Sequence, residues 1–135
     1  MKLTLTIPGR LPGLNEMIDE ARSNKFKSAK QKKQYTELVA CCCKVAKIPN
    51  MKRVNLDITW YEPHRQRDPD NTQAAVKYIW DGLVVAKVLP NDGWGQQGTV
   101  THHMAVDKAK PRVEIEITEV VEKPFTPSQY TDSPY

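Results

Sequence analysis

The chain has 135 residues, 39% hydrophobic and 27% charged, the proportions of one ordinary domain rather than of a disordered tract. No apolar run approaches the roughly 20 residues that cross a bilayer. The first residues alternate in polarity where a signal peptide has a long apolar core, so the expectation is a cytoplasmic protein with no membrane partner. The net charge is +4, unevenly spread: residues 1–53 hold 12 Lys/Arg and 4 Asp/Glu, a net of +8, and the remainder is net −4. A basic first half suits a polyanion, of which nucleic acid is the commonest.

Leu3, Leu5 and Ile7 alternate with Lys2, Thr4 and Thr6, which predicts a first strand. Pro8-Gly9 and Pro12-Gly13 then break regular structure, and residues 8–27 read as a long loop with a short helix near Asn15–Arg22. A cluster of Lys25, Lys27, Lys30, Lys32 and Lys33 follows. Ser28 to Gln31 matches a capping box, so a helix is expected from Ser28 to about Ile48, just before Pro49. Its apolar positions, Tyr35, Leu38, Val39, Cys42, Val45 and Ala46, have the three-and-four spacing of an amphipathic helix. The lysines oppose the macrodipole at its start, so local stability does not explain them. Cys41, Cys42 and Cys43 are consecutive and cannot converge on one metal. They read as buried or half-buried thiols in a reducing compartment.

Val54, Leu56, Ile58 and Trp60 alternate with polar residues and predict a second strand that ends at Pro63. A second helix is expected from Asp70 to Lys87 on the stripe Val76, Ile79, Trp80, Leu83 and Val84. Pro90-Asn91-Asp92-Gly93 is a turn. Residues 97–106 and 112–120 predict two further strands, and His102 and His103, adjacent on the first of them, face opposite sides. The expectation is an α+β fold of order β-α-β-α-β-β, with two main helices on a small mixed sheet of about four strands. It occupies residues 1–122, with 123–135 as an extended or disordered tail.

The segment Arg67-Asp68-Pro69-Asp70-Asn71 places two carboxylates two residues apart where a strand gives way to a helix. Residues i and i+2 of an extended chain project to one side. Two convergent carboxylates suit a hard divalent cation, and Asn71 offers a further oxygen. The competing reading is a helix start, since Asp and Pro both favour that position. Asp92 is a third candidate carboxylate, and Trp94 beside it either stacks on a base or packs on the core.

These residues, with Lys77 and Asp81-Gly82-Leu83 on the following helix and Asn91-Asp92 after it, resemble the RusA family of Holliday junction resolvases. That family has an R-D-x-D-N motif, a helix with a lysine and a D-x-L, then a D-D or N-D turn. Pro12-Gly13-Leu14-Asn15 resembles its N-terminal loop, and the likeness runs over roughly residues 3–120. It implies a homodimeric, Mg²⁺-dependent endonuclease of phage or prophage type, with Mn²⁺ as a possible substitute, that cuts four-way DNA junctions in recombination and repair. Asp68, Asp70 and Asp92 match the family's metal-binding acids. Its catalytic lysine often lies four residues after the second acid, where this chain has Ala74; Lys77 lies seven after it. In an unbroken helix seven residues are close to two turns, about 10.5 Å, which would put Lys77 on the face of Asp70. Lys25, Lys27, Lys30, Lys32, Lys33, Arg65, Arg67 and Asn15 form the expected DNA-contacting set. A helix over residues 71–86 would be about 24 Å long, setting Asp92 far from Asp70 unless the chain turns back, the helix is shorter, or Asp92 serves the other subunit. The alternative is a non-catalytic basic DNA-binding protein of phage origin.

Overall fold

The computed structural model describes residues 2–121, so the expected tail at 123–135 lies outside the described residues. Strand β1 (Lys2–Pro8) leads through helices α1 (Leu14–Ser23) and α2 (Lys25–Val45) to β2 (Val54–Glu62). Helices α3 (Pro69–Gln73) and α4 (Val76–Val85) follow, then β3 (Gln97–Val106) and β4 (Arg112–Glu119). The expected α+β class and the four-stranded mixed sheet are present. The sheet runs β1-β4-β2-β3, with β2 and β3 parallel and the other two pairs antiparallel. The parallel pair needs a crossover, and α3 and α4 supply it.

One face of the sheet carries Leu5 and Ile7 of β1, Val54, Leu56, Ile58 and Trp60 of β2, and Val113, Ile115 and Ile117 of β4, all buried. Val39 and Cys43 of α2 and Ile79 and Leu83 of α4 complete this core. Helices α2 and α4 come close because position 82 is glycine: a Cβ there would lie 2.4 Å from Cγ1 of Val39. The helix-propensity cost of Gly82, up to about 1 kcal/mol, therefore accompanies a close helix crossing.

Three local expectations are corrected. Helix α2 begins at Lys25, not Ser28: Asn24 is the N-cap, its Oδ1 accepting the backbone N–H groups of Phe26 and Lys27. Ser28 lies inside the helix, its N–H bonded to the Asn24 carbonyl. An Asn cap satisfies the same orphan donors as a capping box, and it lengthens the helix to 21 residues. The single helix expected over residues 70–87 is two. Around Ala74 and Ala75 the bonds shorten to three-residue steps, from Ala75 to Thr72, Lys77 to Ala74 and Tyr78 to Ala75. Such steps turn the chain by about 120° per residue rather than about 100°. The two-turn arithmetic relating Asp70 to Lys77 therefore does not apply. Among the cysteines, Cys43 is buried and Cys42 half-buried, but Cys41 is exposed. Burial pushes the Cys43 thiol up to about 12, so it packs as a small hydrophobe.

Candidate metal and nucleic-acid site

The acidic motif sits where β2 hands over to α3, and its surroundings are built from the end of β2 and the loop after β1. Glu62 is the fifth inward-facing position of β2 and is only 5% exposed. Arg10 grips its carboxylate with two bonds, Nη2 to Oε1 at 2.9 Å and Nε to Oε2 at 3.1 Å. Oγ1 of Thr72 donates to Oε1 at 3.2 Å, and Nη1 of Arg67 lies 3.5 Å from the same oxygen. Burial by itself raises the Glu62 carboxyl, but the Arg10 bond and charge, the Arg67 charge and the Thr72 bond outweigh it and hold it below its ordinary value. The Arg10 guanidinium is raised in turn, first by its bond to Glu62.

Arg67 is only 11% exposed. It donates to the carbonyl of Leu11 at 3.1 Å and to the carboxylate of Glu16. This guanidinium, expected on DNA phosphate, is instead committed to joining the motif to the loop and to α1. Oδ1 of Asn71 accepts the backbone N–H of Asn15 at 3.0 Å, so the proline-and-asparagine loop and the acidic motif are in direct contact. Gly13 permits this approach, because a Cβ there would lie 2.6 Å from that oxygen.

Asp68 and Asp70 behave differently from their neighbours. Asp68 occupies the N-cap position of α3 and Asp70 its first turn, yet the Asp68 side chain makes no capping bond. Both are exposed. Among the described residues neither carboxylate has a hydrogen-bond or ion-pair partner, whereas Arg67, Asn71 and Thr72 all do. His64 and Arg65 are exposed beside the motif and border a cavity of about 550 Å³ that Met104 and Val106 of β3 also line. Lys77 is exposed on the first turn of α4.

Asp92 keeps different company. Its carboxylate takes no part in the turn, which is closed by Oδ1 of Asn91 accepting the Gly93 N–H at 3.0 Å. It borders a groove between α2 and α4 together with Lys32, Lys33 and Asp81. Among the described residues no three of His, Cys, Asp and Glu come together in an arrangement able to hold a metal ion. Asp68, Asp70 and Asp92 are thus not gathered into one cluster within the chain. The basic cluster is exposed along the first turns of α2, with Lys25, Lys27, Lys30, Lys32 and Lys33 all at the surface. Trp94 does not pack on the core; it is 99% exposed. The two histidines do face opposite sides. His102 accepts the Trp60 Nε1–H at 2.9 Å on one face, and Nε2 of His103 lies 2.9 Å from Asp57 on the other.

Neither a protein-family model nor a curated protein matches this chain. Sequence reasoning missed Glu62 and Arg10, and that Asp81 and Asp92 border one groove. Glu62 had a legible signal: a carboxylate in phase with four buried apolar residues of a strand is buried too, and a buried charge requires partners.

Proposed function

We propose that this protein is a Mg²⁺-dependent endodeoxyribonuclease that resolves four-way DNA junctions, working as a homodimer that makes paired cuts in recombination and repair. The observation that carries this reading is the division of labour in the acidic motif. Arg67, Asn71 and Thr72 fasten the segment to β2 and to the loop before α1, and Asp68 and Asp70 stay exposed and unpartnered on that fixed platform. A motif whose purpose was to start α3 would use the Asp68 side chain as a cap, and it does not.

The donor set fits the cation. Two carboxylates are hard oxygen ligands of the kind Mg²⁺ takes while keeping several waters and accepting substrate phosphate. When bound, Mg²⁺ neutralises charge on the scissile phosphate and supplies hydroxide at neutral pH. In this reading Asp68 and Asp70 are the carboxylates that hold it, and Arg10 and Glu62 fix their backbone. Lys77, one helical segment away, stabilises the charge that develops on phosphorus. Asp92, in the α2–α4 groove, does not join Asp68 and Asp70 in one three-carboxylate cluster among the described residues of the chain. The exposed lysines of α2 bind the phosphate backbones, which makes affinity fall with salt. Two copies related by a two-fold axis match the near two-fold symmetry of a four-way junction.

The non-catalytic reading has one observation in its favour, that no three metal-binding side chains converge among the described residues. The test uses a synthetic four-way junction and a linear duplex of matched sequence, each incubated with the protein and Mg²⁺, beside an Asp70→Asn control. Symmetric paired cuts in the junction alone, lost in the variant, support the nuclease. Tight junction binding without cleavage, in Mg²⁺ and in Mn²⁺, moves the assignment to a DNA-binding protein.

A further inference from the structure

The turn between α4 and β3 presents an aromatic ring to solvent on a fixed backbone. Trp94 is the second residue of the turn Gly93-Trp94-Gly95-Gln96, which the Gln96 N–H closes by donating to the Gly93 carbonyl at 3.1 Å. The Gln97 N–H donates to the same carbonyl at 3.1 Å, and Nε2 of Gln97 donates to the Asp92 carbonyl at 2.8 Å. The Gln96 carbonyl accepts the Val54 N–H at 3.1 Å, which ties the turn to β2. The indole is 99% exposed, whereas Trp60 and Trp80 are buried. A ring of this size normally buries about 150–250 Å², so folding leaves this one unused. It borders a cavity of about 360 Å³ with Arg53, Asp92, Gln97 and two glycines. No other apolar side chain lines that cavity, so it is not the contiguous apolar patch that a protein partner covers.

The charge at this end of the molecule narrows the partner. Residues 44–53 and 86–98 are joined by the Met51 N–H donating to the Val88 carbonyl at 2.7 Å and by Nδ2 of Asn50 donating to the Lys87 carbonyl at 2.9 Å. Together they hold five Lys/Arg and one acid, Asp92, a net of +4. Glu119, which β4 sets opposite Val54, brings this to +3, and each helix C-terminus offsets only about half a charge. Lys47, Lys52 and Lys87 are exposed with no ion-pair partner among the described residues. Lys47 and Lys87 hold the left-handed backbone, at φ 56° and φ 62°, just beyond the C-caps of α2 and α4. Glycine is the usual residue there, and a cation can serve the helix dipole from anywhere in the last turn. Neither the fold nor the dipole therefore requires lysine at these two positions. In the cavity itself Arg53 and Asp92 are one cation and one anion, which suits a neutral ring rather than a phosphate. A nucleobase is such a ring. Single strands are bound by positive surfaces that track the backbone and by aromatic side chains on which the bases stack.

We propose that Trp94 is a stacking platform for an unpaired base of a nucleic-acid strand, with Lys47, Lys52 and Lys87 taking the phosphates that flank it. The site is separate from the Asp68–Asp70 pair and from the lysines at the start of α2, and it needs no metal ion. It goes beyond the nuclease reading and does not rest on it, because the face of an unpaired base is open to an indole whether or not a junction is cut.

The test is titration of the full chain, in EDTA, with a short oligo(dT), a short oligo(U) and a fully paired hairpin of matched length. Because Trp60 and Trp80 are buried, acrylamide quenching of the intrinsic fluorescence reports Trp94. A single strand is expected to quench the emission and to shield Trp94 from acrylamide, and the tighter of the two strands names DNA or RNA as its source. The hairpin should do neither. In anisotropy of a labelled strand, Trp94→Ala is expected to weaken binding about tenfold, the worth of one base–aromatic stack. Trp94→Phe should recover most of that loss, and neither variant should change Tm, since the indole packs on nothing. In Lys52→Ala, Lys87→Ala the slope of log affinity against log salt should become shallower by about 0.7 per lost contact. Wild-type affinity in Trp94→Ala, acrylamide access unchanged by a bound strand, or no binding of either strand overturns the proposal. Shielding of Trp94 that grows with protein concentration in the absence of nucleic acid also overturns it and assigns the indole to a second copy of the chain. None of these readouts involves Mg²⁺ or Asp70, so junction cleavage stands or fails separately.

Discussion

Asn71 caps a helix from far earlier in the chain, its Oδ1 accepting the backbone N–H of Asn15, 56 residues before it, at 3.0 Å. The N-cap of α1 is Gly13, which has no side chain to do this. An orphan donor at the start of α1 is therefore satisfied from the acidic motif. Two sequence signals far apart, Pro12-Gly13-Leu14-Asn15 and Asp70-Asn71, belong to one structural unit.

Asn71→Ala is expected to cost about 1 kcal/mol, the usual value of a lost N-cap, or about 4 °C in Tm for a domain of this size. Asn71→Asp keeps an acceptor and should lose less. Gly13→Ala should cost more, about 2 kcal/mol, because its Cβ would lie 2.6 Å from the Asn71 oxygen and 3.1 Å from Nε of Arg67. Thermal melts of the three variants check the order, and an unchanged Tm in Asn71→Ala would remove the capping role.

The regular elements of this fold were legible because burial imposes a period. Val54, Leu56, Ile58 and Trp60 announce β2, and the strand expected over residues 97–106 has the bounds of β3. What was not legible were choices between chemically equivalent options. Asn24 and Ser28 both precede suitable residues for a helix start, and only Asn24 caps. Ala74 and Ala75 are good helix formers, yet the chain tightens there, since propensity is a weak constraint beside the packing of Ala75 and Tyr78 in the core. Of the candidate site, the strand-to-helix position of the 68–70 segment is legible, but the i, i+2 argument for an extended chain does not carry over, because Asp70 already lies in the first turn of α3. That Arg67 serves the fold, and that Asp92 borders one groove with Asp81, Lys32 and Lys33, depends on tertiary structure that no local pattern encodes.

The Glu62 network should make stability depend on pH in a defined direction. The folded carboxyl lies below its ordinary value of 4.5. The unfolded chain therefore takes up a proton first as pH falls. The stabilisation is fully present above about pH 4.5 and is lost progressively as pH drops through the folded value. Glu62→Gln removes this dependence and leaves Arg10 and Arg67 without their shared anion. The cost at neutral pH is expected to be about 2 kcal/mol, below the roughly 3–5 kcal/mol of a fully buried pair, because the Arg10 side chain is 30% exposed. Urea unfolding of both proteins between pH 3 and pH 7 checks this. Parallel stability–pH curves would show that Glu62 is not the responsible group.

The lysines at the start of α2 should affect stability and DNA binding with opposite signs. Helix α2 has no acidic residue in its first turn, and Lys25, Lys27 and Lys30 are exposed on its first two turns without an ion-pair partner among the described residues. Each cation opposes the helix macrodipole by a few tenths of a kcal/mol. Replacing all three by Ala should therefore leave the melting temperature unchanged or slightly raised. If they contact phosphates, junction affinity falls, and the slope of log affinity against log salt becomes shallower by about 0.9 per lost contact. Three contacts would change the slope by about 2.7. Lys33→Ala differs, since Lys33 already faces Glu37 at 4.0 Å and part of its charge is compensated. Fluorescence anisotropy of a labelled junction between 50 mM and 200 mM salt measures the slopes. A triple variant that keeps both the affinity and the slope of the wild type would show that this lysine-rich face is merely solvated. The polyanion surface would then lie elsewhere.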